Sequence, residues 1–412
     1  MSLLRNRSLL ALVGAQIVSG LGSRMTFLAL PWFVLATTGS AAKMGVVLAV
    51  EMAPVALLGI PSGAVVARLG ALRAMQVSDL ARVPLMASLP VLHALGLLSF
   101  PLLLAIVFLI GCFVAPFFAA QRVVLAELVG DEDPALLAQA NAVLEGGNTI
   151  TSLLGPALAG ILIALVGPTN LLYVDAATFA VSFLTLTLFV PRRPPVAQSD
   201  DARGLFAGLR FFGRDPLLWR IASTLVCINF FGAALSISLP VLAYVEYGQS
   251  PRLAGLFFAA FGGGALVGTL LAVRILPRFQ PLRLAAVAIL ALVLPLWLLG
   301  LDVPAWAVVL ALFVSAVPQP LVNAPIVSLI TAKAPAALRP KVMTAMMTLA
   351  MLAGPLGILL AGPLLEALGP RPVFLVIAAG LTLFACFFSW VALRYGPPRQ
   401  AAPDVELALA DG

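Results

Sequence analysis

Twelve apolar stretches, each long enough to cross a bilayer, constrain this chain more than any other feature. A helix needs roughly 20 apolar residues to span the hydrocarbon core. Lipid offers no partner to unpaired backbone groups, so such stretches must fold as helices. Only 10% of the residues are charged and 62% are apolar, against about 25% charged in a soluble domain. The expected spans are 8–36, 42–66, 75–97, 101–126, 137–166, 170–190, 217–245, 253–275, 282–300, 304–331, 342–366 and 372–394.

An even number of crossings puts both termini on one side. Of the 24 Lys and Arg residues, 19 lie on that side, in connectors, termini or the adjoining span ends, three (Lys43, Arg252, Arg371) on the other, and two (Arg24, Arg82) deeper within spans. Such a bias marks the cytoplasmic face. The net charge of +7 is therefore an orientation and lipid-surface signal, and no nucleic-acid partner is expected. Cys112, Cys227 and Cys386 all lie within spans and are expected to pack rather than bridge. The first apolar run is too long for a signal peptide and lacks a cleavage site, so it reads as a span.

The longest polar connector, 191–216, divides the chain into six-span halves, 1–190 and 217–394, with a short polar tail at 395–412. Its second part sets Leu205, Phe206, Leu209 and Phe212 against Arg203, Arg210 and Arg214, which suits either a helix on the inner leaflet or a solvated loop. The halves echo each other. Gly45, Arg68, Leu72 and Arg73 recur 210 residues later as Gly255, Arg278, Leu282 and Arg283; Ala159-Gly160 and Gly167-Pro168 recur as Ala361-Gly362 and Gly369-Pro370. Both matches lay span n over span n+6, as a duplicated six-helix bundle would.

These residues resemble the major facilitator superfamily, and within it the branch of siderophore, macrolide and multidrug exporters. The connector after span 2 carries Gly63, Arg68, Gly70 and Arg73 of the family's G-x-x-x-D-R-x-G-x-R-R, with Ala67 where the family has Asp. That change removes the charge from an expected latch. Ala126-Glu127-Leu128-Val129 and Ala140-Asn141-Ala142 are similar to the branch's P-E-L-V and A-N-A elements, and Leu154 to Gly160 to its L-G-P-x-x-G-G. Asp79, Arg82, Asp175 and Phe179 match the branch, as does Lys341-Val342-Met343, with Pro340 in place of Gly. The resemblance implies an all-α membrane protein: twelve helices in two pseudo-symmetric bundles, in a bacterial inner membrane, with both termini cytoplasmic and acting as a monomer. Independently of family, Gly155 and Gly160 allow close backbone approach and Pro156 removes a helical hydrogen bond. Together they suit a bendable contact between bundles.

Ionisable residues within spans are costly and functional by default. Away from the cytoplasmic and outer span ends they are Arg24, Glu51, Asp79, Arg82, Glu145 and Asp175, all in the first half; spans 7 to 12 have none in their central parts. Arg24 and Glu51 lie at comparable depth, so a pair is expected. It would act as a protonation switch, or else stand as a static pair, with an arginine facing cavity water as the alternative. Glu145, with Gly146, Gly147 and Asn148 around it, suits a proton site, a cationic-cargo site or an arginine partner. Asp79 and Arg82 are expected to pair at i, i+3 near the inner end of span 3, snorkelling to the headgroups. Asp175, near the outer start of span 6, suits a helix-start or interbundle hydrogen bond better than a cargo contact. Asn148, Asn229, Gln319 and Asn323 are cavity candidates, with interhelical hydrogen bonding the alternative for the last three. Pro318, Pro320 and Pro325 predict a broken span 10 that forms a cavity wall.

The lone His93, the lack of a Cys/His/carboxylate cluster and the lack of a G-x-x-x-x-G-K-S/T loop point away from a metal, a cofactor, nucleotide-driven work or enzymatic catalysis. The expected activity is alternating-access, proton-coupled export of an amphipathic small molecule such as a drug, siderophore or secondary metabolite. Its partners are then cargo, protons and lipid. An importer or lipid-related transporter of the same fold is the second reading, and a non-transporting scaffold or sensor the third.

Overall fold

The computed structural model describes residues 6–129, 134–191, 210–335 and 338–395. The expected surface-helix residues Arg203, Leu205, Phe206 and Leu209, and the tail beyond Tyr395, lie outside the described residues. Each expected span is a helix, shifted by a few residues at its ends. They are α1 (Arg7–Thr38), α2 (Ala41–Leu69), α3 (Ala71–Ala94), α4 (Phe100–Val129), α5 (Pro134–Val166), α6 (Pro168–Phe189), α7 (Pro216–Val245), α8 (Pro251–Ile275), α9 (Pro281–Gly300), α10 (Ala305–Lys333), α11 (Arg339–Leu368) and α12 (Pro370–Tyr395).

Local chemistry explains the boundaries. Asn6, Ser40, Asp215 and Ser250 cap α1, α2, α7 and α8 with side-chain oxygens that accept from first-turn amides. Proline opens α6, α7, α8 and α9, where no helical partner for its missing N–H is needed. The repeated Gly-Pro pairs are turns: Gly167 and Gly369 hold φ of +84° and +79°, a region that suits glycine, and the proline starts the next helix. In α10 the helix stops at Ala316 and restarts at Gln319, at the predicted proline cluster.

Within the first half, α1 packs on α5 and α6, α3 on α4 and α6, and α2 on α4; in the second, α7 packs on α11 and α12, α8 on α10, and α9 on α12 and α10. The halves meet along two seams, α2 with α11 and α5 with α8. These are the same seam twice, related by the six-span repeat. At one, a Cβ on Gly45 would lie 3.3 Å from the Gly362 Cα and 3.1 Å from the Ile358 carbonyl oxygen. At the other, a Cβ on Gly255 would lie 2.9 Å from the Gly160 Cα and 2.7 Å from the Pro156 carbonyl oxygen. The glycines that reveal the repeat in sequence are thus the points where the two halves cross.

Call the side where α1 begins the terminal face and the opposite side the far face. Glu366 at the end of α11 crosses the first seam at the far face, accepting from the Ser40 hydroxyl (2.7 Å) and the Ala42 amide (3.1 Å). Phe27 on Phe258 and Trp32 on Tyr244 join the halves nearby. The apolar core follows the same division. One cluster unites first-half residues such as Leu35, Met44 and Phe179 with the core of the second half, whereas Leu9, Leu72, Phe117, Leu128 and Leu144 form a separate cluster of first-half residues only. Among the described residues, the halves therefore share a core toward the far face, while the first-half cluster at the terminal face is separate from it.

Some expectations need correcting. Phe212 is fully buried in the shared core, so the end of the connector docks on protein rather than lying in lipid. The broken region of α10 sits on α8, where Gly264 and Gly268 leave room for the carbonyls of Phe313 and Val317. It thus packs inside the second half and is not among the residues lining the cavity described below. The cysteines are free, with Cys112 and Cys227 half-buried, but Cys386 is exposed rather than packed.

Candidate functional site

A cavity of about 200 Å³ lies between the halves, near mid-depth. Each half supplies one wall: Phe27, Pro31, Glu51 and Met52 from α1 and α2, and Ser236, Ile237, Phe258 and Ile358 from α7, α8 and α11. Among the described residues, Glu51 is its one ionisable lining residue, and Ser236 the only other polar one. The spacing Leu48, Glu51, Met52, Val55 is one face of α2, which explains why these four converge on the cavity. Pro54 and Gly111 fix that face. Gly111 lets α4 come up against the Glu51 carbonyl, with the Pro54 ring 3.0 Å from where a Cβ would be.

Arg24 belongs to the same face of α1 as Phe27 and Pro31, at i, i+3 and i+7, one turn nearer the terminal face. Its side chain is exposed, and its backbone rests on Gly155, with the Gly155 Cβ position 3.1 Å from the Arg24 carbonyl carbon. It makes no ion pair with Glu51, contrary to the expected pairing; it sits one turn beyond the residues of α1 that line the cavity with Glu51. Gly155 thus serves packing inside the first half, and of the span 5 element only Pro156 and Gly160 lie on the seam.

Behind the cavity wall lies a buried charged network. Arg82 pairs with Asp79 at 2.6 Å; the two side chains are 5% and 0% exposed. The guanidinium lies between two rings, 4.6 Å from Phe117 and 4.2 Å from Phe179, and the Ser182 hydroxyl donates to Asp79 at 2.6 Å. Asp175 is also buried and accepts from the Thr26 hydroxyl at 2.6 Å and the Thr178 hydroxyl at 3.2 Å. Gly22 makes this possible, since a Cβ there would overlap Asp175 and Thr178. The network joins α1, α3, α4 and α6, and Asp175 is near enough to act electrostatically on both Arg82 and Glu51.

This corrects two expectations. Asp79 and Arg82 do not snorkel to the headgroups but are sealed inside the bundle. Asp175 is neither near the surface nor interbundle, because α6 begins at Pro168 and is covered by α1 and α3. The remaining candidates lie elsewhere. Glu145 is exposed and Asn148 half-buried on α5, neither lining this cavity. Asn229 is exposed, donates to Leu225 O of its own helix at 2.9 Å and is not among the residues lining this cavity. Gln319 opens the second segment of α10 and Asn323 is exposed on it. Arg68 and Arg73 are exposed at the terminal face; Gly70 makes the turn between them at φ +80°, while Gly63 has open space around it. His93 is exposed and sets its ring edge-on to Phe33.

The sequence profile of the Major Facilitator Superfamily matches residues 12–358. The multidrug efflux pump Tap of Mycolicibacterium fortuitum is 29% identical over 392 residues, covering 91% of this chain and 93% of that protein. The enterobactin exporter EntS of Citrobacter koseri is 30% identical over 189 residues, 44% of this chain and 45% of that protein. Among solved structures, a bacterial homologue of the human lysosomal transporter Spinster, in an inward-facing and occupied conformation, superposes with a TM-score of 0.74 at 16% identity, covering 98% of this chain and all of that one. The nucleoside transporter NupG gives 0.73 at 15% identity over 94% and 99%.

Proposed function

Since the chain belongs to the Major Facilitator Superfamily, we propose that it is a proton-coupled exporter of amphipathic small molecules, working by alternating access between the halves 1–190 and 217–394 as a monomer. The single observation that carries this reading is the apolar cavity at the seam, lined among the described residues by one carboxylate, Glu51, with the halves sharing a core on the far-face side. The basic residues of the terminal face support reading it as the cytoplasmic side of a bacterial inner membrane. The Tap and EntS similarities support export. A cavity this poor in polar groups is ill-suited to an imported polar nutrient.

Glu51 then carries the coupling proton. It lies where one face meets cargo and the other feels the Asp175 charge, so rocking of the halves changes its surroundings and its proton affinity. The test is dye accumulation in everted vesicles with an imposed proton gradient. Wild-type protein should accumulate dye only while the gradient lasts, and Glu51→Gln should lose gradient dependence with the protein still folded. Accumulation by Glu51→Gln equal to wild type would remove Glu51 from the mechanism.

A further inference from the structure

The terminal end of the second half carries two arginines that no carboxylate answers. We propose that Arg220 and Arg394, gathered around the Tyr395 ring where α7 begins and α12 ends, bind the phosphate of one anionic phospholipid of the adjoining leaflet, with an acyl chain lying along the exposed face of α12.

Arg220 stands in the second turn of α7 and Arg394 in the last turn of α12. Their guanidinium carbons lie 4.6 Å and 5.8 Å from the centroid of the same ring, Tyr395, and that of Arg394 also lies 5.5 Å from the Trp390 centroid. One ring thus holds two positive charges within reach of a single headgroup. Stacking occupies the face of a guanidinium and leaves its N–H edge free for a phosphate oxygen. Among the described residues no carboxylate pairs with either arginine. Asp215, five residues before Arg220, is held by Lys333 and by the amides of Leu217 and Leu218. Arg210 and Arg214, both exposed just before α7, add further positive charge.

The apolar surroundings select a lipid over a free anion. Leu383, Phe387, Trp390 and Arg394 fall at i, i+4, i+7 and i+11 and are all exposed, so one stripe of α12 runs from the terminal face into the depth of the bilayer with the arginine at its head. Phe387 stacks on Trp390 with centroids 5.9 Å apart, and Trp390 meets Tyr395 edge-on at 5.8 Å. Trp219, next to Arg220, is exposed as well. Tryptophan and tyrosine of this kind sit at headgroup level, and basic clusters at a membrane surface attract anionic lipids by about 1 kcal/mol per arginine. The first half has no such corner: the repeat puts Leu10 in the place of Arg220, Thr185 in that of Phe387 and Leu188 in that of Trp390.

The test titrates the purified full-length chain, in neutral detergent, with phosphatidylglycerol or phosphatidylcholine and counts bound lipid by native mass spectrometry. One phosphatidylglycerol should bind saturably and at least tenfold more tightly than phosphatidylcholine, whose choline cancels the phosphate charge. Arg220→Gln with Arg394→Gln should abolish that preference in a protein that stays monodisperse. Arg68→Gln with Arg73→Gln, which removes the same charge from the terminal face of the first half, should leave the affinity within about twofold of wild type. No saturable preference in the wild-type chain, or equal losses in the two double variants, overturns the proposal. Displacement of the lipid by millimolar glycerol phosphate overturns it too, by making this a site for a free phosphate. So does a preference that appears only once Asp404, Glu406 and Asp411 are neutralised, which would mean that the chain's own tail fills the corner.

Discussion

The two halves share one architecture and differ in what fills it. By the 210- and 202-residue offsets that relate them, Asp79 corresponds to Ile289, Arg82 to Leu292 and Asp175 to Ile377. The three charged side chains and their three apolar counterparts are all wholly or largely buried, and the helices concerned pack alike, α3 on α6 in one half and α9 on α12 in the other. The second half thus serves as an internal control: the bundle closes well on isoleucine and leucine alone. Replacing a buried ion pair by well-packed apolar residues is often neutral or stabilising, so the first half does not need its charges in order to fold. Of the three, Asp175 is near enough to act electrostatically on Glu51, and its counterpart Ile377 carries no charge.

The strongest way to break this comparison is to unbalance the network. Arg82→Leu alone strands the Asp79 carboxylate in the bundle and should destabilise the protein by about 3–5 kcal/mol, read as a lowered thermal midpoint in detergent. The triple variant Asp79→Ile, Arg82→Leu, Asp175→Ile copies the second half and should recover most of that midpoint while transport stays impaired. A triple variant that transports like wild type would make the charges a packing choice and nothing more.

Next in size is an asymmetry of function. Position 51 corresponds to Phe261 in the second half. Glu51→Gln should lower gradient-driven efflux at least tenfold, a loss of about 1.4 kcal/mol or more in transport free energy, whereas Phe261→Leu should change it little. Equal effects of the two substitutions in one vesicle assay would erase the distinction between the halves.

The seams, by contrast, should respond alike. Gly160→Ala and Gly45→Ala each put a methyl group against facing backbone and should each cost about 1–3 kcal/mol of stability, with reduced transport. Spin-label distances across each seam would register the displacement. If only one seam is sensitive, the two crossings are not mechanically equivalent.

The smallest effect is expected at the terminal face. Burial opposes the charge of Asp215, but Lys333 at 2.6 Å and the amides of Leu218 and Leu217 outweigh it and hold the carboxyl below the usual carboxylate range. A lowered folded value means that this stabilisation is complete above the unfolded pKa of about 3.9 and is lost as pH falls through the folded value. Between pH 5 and 3, wild-type protein should therefore lose slightly more thermal stability than Asp215→Asn. Identical slopes would show that the cap and its lysine contribute nothing measurable.

Much of this architecture is legible in the sequence because lipid imposes a length on every crossing and duplication repeats the residues where backbones touch. Gly45, Gly160, Gly255 and Gly362 mark the repeat in the sequence, and the structure shows that the same four glycines lie on the seams. Side-chain surroundings were less legible. Counting residues along a helix yields depth only to within a turn and does not say where a long side chain reaches, which is why Arg24 and Glu51, expected as partners, do not pair. It also hides what covers a helix: Asp175 is only seven residues into α6, about 10 Å at 1.5 Å per residue, yet α1 crosses it at Gly22. The amide of Asn229 could not be placed from sequence, since bonding to its own helix leaves no mark on residue spacing.

The carboxylate of Glu366 gives the far-face closure a handedness that the duplicated scaffold does not have. Its counterpart by the same offset is Ala164, which can offer nothing to Ser250 at the start of α8. One edge of the closure is thus fastened by two hydrogen bonds and the other by glycine and carbonyl contact alone. Parting the second edge exchanges no hydrogen bond, whereas parting the first requires water to take over both of Glu366's donors at once. Whatever governs solvent access at that corner, ionic conditions and bound lipid included, acts on one hinge line of the molecule and not on its twin.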